Sequence, residues 1–286
     1  MIQILIFIQQ LIASGTHIVA KGITYEIEPA LILLYRSALA SLFYIVWLSF
    51  RKDSIKKIDR KDIYKLILLG MLNIPLNQFL FLQGLKYTTA PNMALAYALT
   101  PAFVLLIAVI FYKEHASPKK LLGVAIAIVG AIVVLLERGL IFTDESLLGD
   151  FLALAASLSW ALYTIIGRNI SIKYGAIYST GLAMSIGFLL YVPVFLIMPI
   201  PFQFYEITNV NWIQLIYLGV ITSGVGYAIW YYALTKTEAS KVAVFNNLQP
   251  VMTTILSIIF LGTVLTPFFV VGGLMIILGV FITQRG

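Results

Sequence analysis

Gln10, Ser14, His17 and Lys21 recur every three or four residues within an otherwise apolar stretch. That spacing puts all four on one face of a helix. Such a face can bind a small polar solute or hydrogen-bond to neighbouring helices. His17 adds a titratable group with an unperturbed pKa of about 6.5, which opens a proton-linked step beside plain contact. Lys21 can attract a carboxylate or snorkel to the helix end. Arg36 is expected to pair with Glu26 or Glu28 just before it, with capture of an anion as the alternative.

Further polar groups cluster at comparable depths. Asn73, Asn77 and Gln78 surround Pro75, while Thr222 and Ser223 precede Gly224 and Tyr227. Ser157, Ser159, Trp160, Tyr163 and Thr164 form a third group, with Trp160 suited to stack on an apolar or aromatic solute. Asn92, Tyr97 and Thr100 lead to Pro101, and Asn246, Asn247 and Gln249 lead to Pro250. Thr100 and Gln249 are expected to satisfy backbone groups that the prolines free. Pro75, Pro101, Gly224 and Pro250 weaken their helices, useful where a cavity must open and close. The Gly-Val-Gly at 224–226 lacks the strand and third glycine of a nucleotide fingerprint. Ser14, His17, Lys21, Asn77, Gln78, Tyr97, Trp160, Tyr163, Tyr227 and Asn246 are therefore the candidate substrate contacts.

The elements carrying these residues must lie in a bilayer. Of 286 residues, 61% are hydrophobic and 11% charged, against about 25% charged in ordinary soluble domains. Apolar runs of this length read as helices, because lipid offers backbone groups no partners. Ten spans are expected, at 3–24, 29–50, 64–84, 89–111, 120–137, 149–168, 176–198, 211–234, 239–261 and 267–284. Met1 to Ile23 lacks a basic start and a cleavage site, so it reads as a first span and not a leader. Trp47 and Trp212, near span ends, are the belt candidates.

The chain repeats itself. An offset of 149 lays Gly70 on Gly219, Ala90 on Ala239, Pro101 on Pro250, Pro118 on Pro267, Gly123 on Gly272 and Gly130 on Gly279. It also lays Tyr97 on Asn246 and Pro75 on Gly224. Aligning the starts of the halves places Trp160 opposite His17, an offset of 143. The domains are then 1–138 and 149–286. Their last helices carry Gly123, Gly130, Gly272, Gly273 and Gly279 and almost no polar atoms, as structural supports or a dimer face. Five spans per repeat turn the second copy upside down.

Charge orients the chain. With a cytoplasmic N terminus, 15 of the 19 Lys and Arg fall on inner loops and ends, leaving Lys21, Arg36, Lys86 and Arg138 on or toward the outer side. Both termini are expected inside the cytoplasmic membrane. The loop from Arg51 to Lys65 holds seven bases, whereas its counterpart from Pro199 to Asn211 holds Glu206 and none. The net +7 is thus topology, and nucleic acid is not an expected partner.

Two five-span repeats, each with an Ala-rich helix broken by proline, a short loop, a second proline and a Gly-rich last helix, resemble the EamA branch of the drug/metabolite transporter superfamily. Ala90, Ala94, Leu99, Thr100, Pro101, Glu114, Pro118, Gly123 and Gly130 carry the likeness in one half. Ala239, Ala243, Gln249, Pro250, Pro267, Gly272 and Gly279 carry it in the other. Lys21, and Arg36 after Pro29, also resemble the family pattern. Thr263 departs from it, standing where the first half has Glu114. The resemblance implies an all-α integral membrane transporter whose first, third, fourth, sixth, eighth and ninth spans line a cavity. It also implies peripheral placement of the second span.

The function expected is secondary transport of small metabolites by alternating access, with amino-acid export foremost. Carriers of sugar phosphates or nucleotide sugars, and exporters of drugs or organic cations, are the alternatives within that fold. A proton or counter-substrate can be coupled, and the unit is a monomer or homodimer. No metal or cofactor is expected. In this reading one His and no Asp or Glu is embedded in the membrane, too little for an intramembrane enzyme or a carboxylate proton relay. Cysteine is absent, which excludes thiol chemistry. A receptor would bring a soluble domain, and a channel would not need inverted halves.

Overall fold

The computed structural model describes residues 2–51, 55–88, 90–113, 115, 117–136, 144–198, 207–261 and 267–285. Lys52 of the basic loop, together with Glu114, Arg138, Glu206 and Thr263, lies outside the described residues, as does the side chain of Asn92.

The described elements are helical. In chain order they are α1 (Ile2–Ile23), α2 (Pro29–Ser49), α3 (Arg60–Tyr87), α4a (Ala90–Ala98), α4b (Thr100–Tyr112), α5 (Pro118–Leu136), α6 (Asp144–Tyr174), α7 (Ala176–Ile197), α8 (Asn209–Leu234), α9a (Ala239–Ala243), α9b (Leu248–Leu261) and α10 (Pro267–Gln284). Helices α1, α2, α3, α7, α8 and the part of α6 from Leu147 to Tyr174 are long and apolar enough to cross a membrane.

Burial is inside out relative to a soluble protein. Phe7, Leu42, Ile45, Leu196, Ile213 and Leu274 face outward, while Gln10, Ser14, Asn73, Thr100, Ser157 and Asn247 are buried. That arrangement suits a surround of lipid, which rewards apolar exteriors and penalises unpaired polar groups. Trp47 and Trp212 are exposed near helix ends.

The expected weak points have local causes. Pro75 cannot donate a backbone hydrogen bond, and Leu72–Gln78 widens into a π-helical segment around it. In the other half Tyr217–Gly226, which contains Gly224, does the same. Pro101 does not bend a continuous helix: the chain breaks at Leu99, and Pro101 sits in the first turn of α4b, where no amide is needed. Before Pro250 the chain tightens instead into a 3₁₀ turn, Val244–Asn247.

Contacts fix the register of the duplication. Lys21 Nζ donates to the carbonyls of Leu85 (2.6 Å) and Thr88 (3.1 Å), at the end of α3. Arg168 Nε donates to those of Leu234 (3.1 Å) and Thr237 (3.2 Å), each 149 residues further on. Lys21 and Arg168 are thus equivalents, and the offset over the first helices is 147. The pair Thr16 with Thr222 (2.9 Å) matches Tyr163 with Asn73 (3.3 Å), and Gln10 with Gln249 (2.9 Å) matches Ser157 with Thr100 (2.8 Å). The equivalent of Trp160 is accordingly Ala13 and not His17, whose own equivalent is Thr164. Loop lengths differ between the halves, so helix starts are a poor guide to register.

Helices α5 and α10 run antiparallel in close contact. A Cβ on Gly123 would meet Gly279 O at 2.7 Å, and one on Gly130 would meet Gly272 O at 2.7 Å. These two contacts are one contact seen from either half, since 123 maps to 272 and 130 to 279. The glycine faces therefore pack within the chain, as structural supports.

At one end of the bundle, Lys173 pairs with Asp59 and Asp62, and Tyr174 donates to Asp62 at 2.8 Å. Hydrogen bonding to Lys173 holds the Asp59 carboxyl below the usual carboxylate range. Lys120, buried in α5, pairs with Glu238 just before α9a.

Candidate functional site

A cavity of about 60 Å³ lies between the halves, room for a few water molecules. Helix α1 contributes Gln9, Ala13, Thr16 and His17; α3 contributes Asn77, Gln78 and Phe81. Arg36 enters from α2, Tyr97 from α4a, Trp160 from α6, and Thr222 and Tyr227 from α8. Asn246 and Gln249 complete the wall from the 3₁₀ turn and α9b.

Amides and one imidazole form a directed network on one side. Gln10 Nε2 donates to Asn246 Oδ1 at 3.1 Å, and Gln249 Nε2 donates to Gln10 Oε1 at 2.9 Å. With its nitrogen so used, Gln249 turns its oxygen to His17 Nε2, 2.8 Å away. His17 is then the donor through Nε2, and Nδ1 is a bare acceptor. His17 Nδ1 and Asn246 Nδ2 are buried with no hydrogen-bond partner among the described residues.

Aromatic rings form the remaining wall. His17 lies edge-on to Phe81 (5.4 Å) and Tyr97 (5.9 Å), and Trp160 meets Tyr227 at 4.9 Å. Asn77 Nδ2 donates to Tyr97 Oη (2.7 Å) and to Ala156 O (2.8 Å), holding α3, α4a and α6 together. Such a site offers neutral donors and acceptors, flat apolar faces and, from Arg36, one positive charge.

Of the ten contacts expected, the structure brings seven to this wall: His17, Asn77, Gln78, Tyr97, Trp160, Tyr227 and Asn246. Tyr97 and Asn246, equivalent across the repeat, both reach it. Ser14 does not, because its hydroxyl turns back on Gln10 O at 2.8 Å. Lys21 caps α3, and Tyr163 packs behind Trp160 at 5.7 Å. Among the described residues Thr100 and Gln249 bond side chains of α6 and α1 and not the opened backbone.

Arg36 corrects two expectations. It is buried, and its Nε donates to Ser223 Oγ at 2.8 Å. Glu28 pairs instead with Lys86 (2.9 Å), and Glu26 accepts from Asn211 (2.7 Å). Helix α2 is therefore part of the cavity wall. The signal was a charge two turns inside an apolar helix. Gln9, Thr16, Phe81 and Thr222 were also missed as wall residues. Thr16 and Gln9 sit beside the polar face of α1 and widen it.

The sequence profile of the EamA-like transporter family matches residues 1–136 and again 147–285. An uncharacterized transporter of Archaeoglobus fulgidus is 29% identical, with 98% of this chain and 96% of that protein covered. The uncharacterized transporter YyaM of Bacillus subtilis is 31% identical over 93% of this chain and 88% of its own. A probable terminal-alkyne amino-acid exporter of Streptantibioticus cattleyicolor is 24% identical over 81% and 76%. One solved crystal structure superposes with a TM-score of 0.80 at 16% identity, covering 98% of this chain and 96% of the other, a likeness of fold.

Proposed function

Because the chain belongs to the EamA-like transporter family, within the drug/metabolite transporter superfamily, we propose that it moves small metabolites across the cytoplasmic membrane by alternating access. In this reading all ten spans cross the bilayer, as two inverted five-span halves at 1–138 and 149–286, with both termini cytoplasmic. Amino acids or similar compounds are the substrates and export is the direction. Coupling is to a proton through His17 or to a counter-substrate. The glycine faces of α5 and α10 are used inside the chain, which favours the monomer.

The cavity walled by both halves is the observation that carries this reading. Two halves whose contacts interchange can exchange conformations, and a site between them then opens to either side. The described form is too narrow for an amino acid, so loading requires helices to separate. The π-helical segments of α3 and α8 and the interruption before α4b are where bending is easiest. The relative named as an amino-acid exporter supports the substrate class. Carriers of sugar phosphates or nucleotide sugars need several cavity cations, and Arg36 is the one cation on the described wall.

A thermal-shift screen of the purified protein in detergent tests this, with amino acids, nucleotide sugars, sugar phosphates and organic cations as ligands. Binding to the folded state raises the melting temperature by mass action. Stabilisation by large neutral amino acids, lost in His17→Ala and Trp160→Ala, is expected. Stabilisation by phosphorylated ligands alone, indifferent to both substitutions, would overturn the substrate class and the site.

A further inference from the structure

We infer that Arg36 is the anchor for a substrate carboxylate, so that the cavity takes small monocarboxylates with an apolar or aromatic body and excludes organic cations. This rests on the cavity being the transport site and adds the group it recognises.

Arg36 lies two turns into α2, is 3% exposed and faces the cavity. Its described partner is a neutral hydroxyl, Ser223 Oγ. No Asp or Glu stands on the described wall, and both nearby glutamates are engaged elsewhere. A buried cation without a counter-charge is costly, and binding sites are where that cost is tolerated.

Pseudo-symmetry shows that the fold does not require this charge. A Cβ on Gly219 would meet Arg36 O at 3.0 Å, and one on the equivalent Gly70 would meet Ala183 O at 3.1 Å. The counterpart of Arg36 is therefore Ala183, and the same helix crossing is made there with a methyl group.

The rest of the wall suits the same ligand. Asn246 Nδ2 is a buried donor with no partner among the described residues, on the same cavity wall as the guanidinium. His17 Nδ1, buried with no partner among the described residues, is available to a donor group on the same ligand. Phe81, Tyr97, Trp160 and Tyr227 offer faces to an apolar body. One positive charge balances one carboxylate, and it repels a cation that a purely aromatic cavity would accept.

The test uses three ligands of one shape, 3-phenylpropionate, 3-phenylpropionamide and 3-phenylpropylammonium, with the full chain in detergent and its melting temperature as readout. The carboxylate is expected to bind at least about tenfold tighter than the amide, as charge-assisted hydrogen bonds imply, and the ammonium not at all. Arg36→Gln is expected to bind carboxylate and amide alike. If that variant does not fold, Arg36→Lys decides: a weakened preference supports the inference, and one unchanged in size overturns it. The inference also fails if the preference survives in Arg36→Gln, if amide or ammonium matches the carboxylate on the wild type, or if the carboxylate gives no shift. Trp160→Ala separates the two levels. Binding lost there, with the preference indifferent to Arg36, removes the anchor and leaves the cavity. Binding of the carboxylate that depends on Arg36 and ignores Trp160 removes the cavity reading and the inference with it.

Discussion

Gln249 is buried and has both ends of its amide committed, to Gln10 and to His17. Replacing it with leucine strands Gln10 Oε1 and His17 Nε2, and each unpaired buried group costs about 1–3 kcal/mol. Gln249→Leu is expected to melt clearly below the wild type, while adding Gln10→Met returns part of the loss. A double substitution that melts at the sum of the single losses would contradict the coupling. At this scale the sequence showed a good deal. A histidine, three amides and several aromatics within apolar helices had to find partners, and most of them meet at one cavity. Arg36 was misjudged because a charge near a helix end can snorkel, pair locally or turn inward. Which occurs depends on the neighbour covering that face, here α8 with Ser223, and no local pattern names that neighbour.

Between elements, glycine sets how closely α5 and α10 approach. A Cβ on Gly279 would lie 2.5 Å from Gly123 O, a backbone atom that cannot step aside. Gly279→Ala is therefore expected to destabilise by about 1–3 kcal/mol, the usual cost of overpacking, with ligand preference unchanged because the cavity lies elsewhere. A melting temperature equal to the wild type would show that these helices do not pack so tightly. The prolines and glycines made the second part of the duplication legible, because each marks a backbone event that chance seldom repeats in register. The first two helices of each half lack such markers. Their offset of 147 emerged only from contacts, with Lys21 and Arg168 capping equivalent carbonyls. The π-helical segments were legible as weak points at Pro75 and Gly224, but their hydrogen-bond pattern was not.

At the scale of the whole molecule, the antiparallel α5 and α10 and the interchangeable contacts of the two halves suit opposite insertion of the repeats. The natural absence of cysteine gives a clean background for probing it. A single cysteine at Lys57 is expected to react with an impermeant reagent from the cytoplasmic face, and one at Ile207 from the opposite face. Labelling of both from the same face would contradict the inverted topology. Composition made the membrane class plain, since so few charges in so apolar a chain leave little else. Substrate identity was not legible, because it depends on side chains brought together from helices far apart in the sequence.

Counterflow in proteoliposomes tests most directly whether the central cavity carries substrate by alternating access. Vesicles loaded with unlabelled phenylalanine are given a trace of labelled phenylalanine outside. The wild type is expected to accumulate label transiently above its equilibrium level, and Trp160→Ala to lose the overshoot while still folded. Absence of an overshoot in the wild type, or one unaffected by Trp160→Ala, would contradict the account.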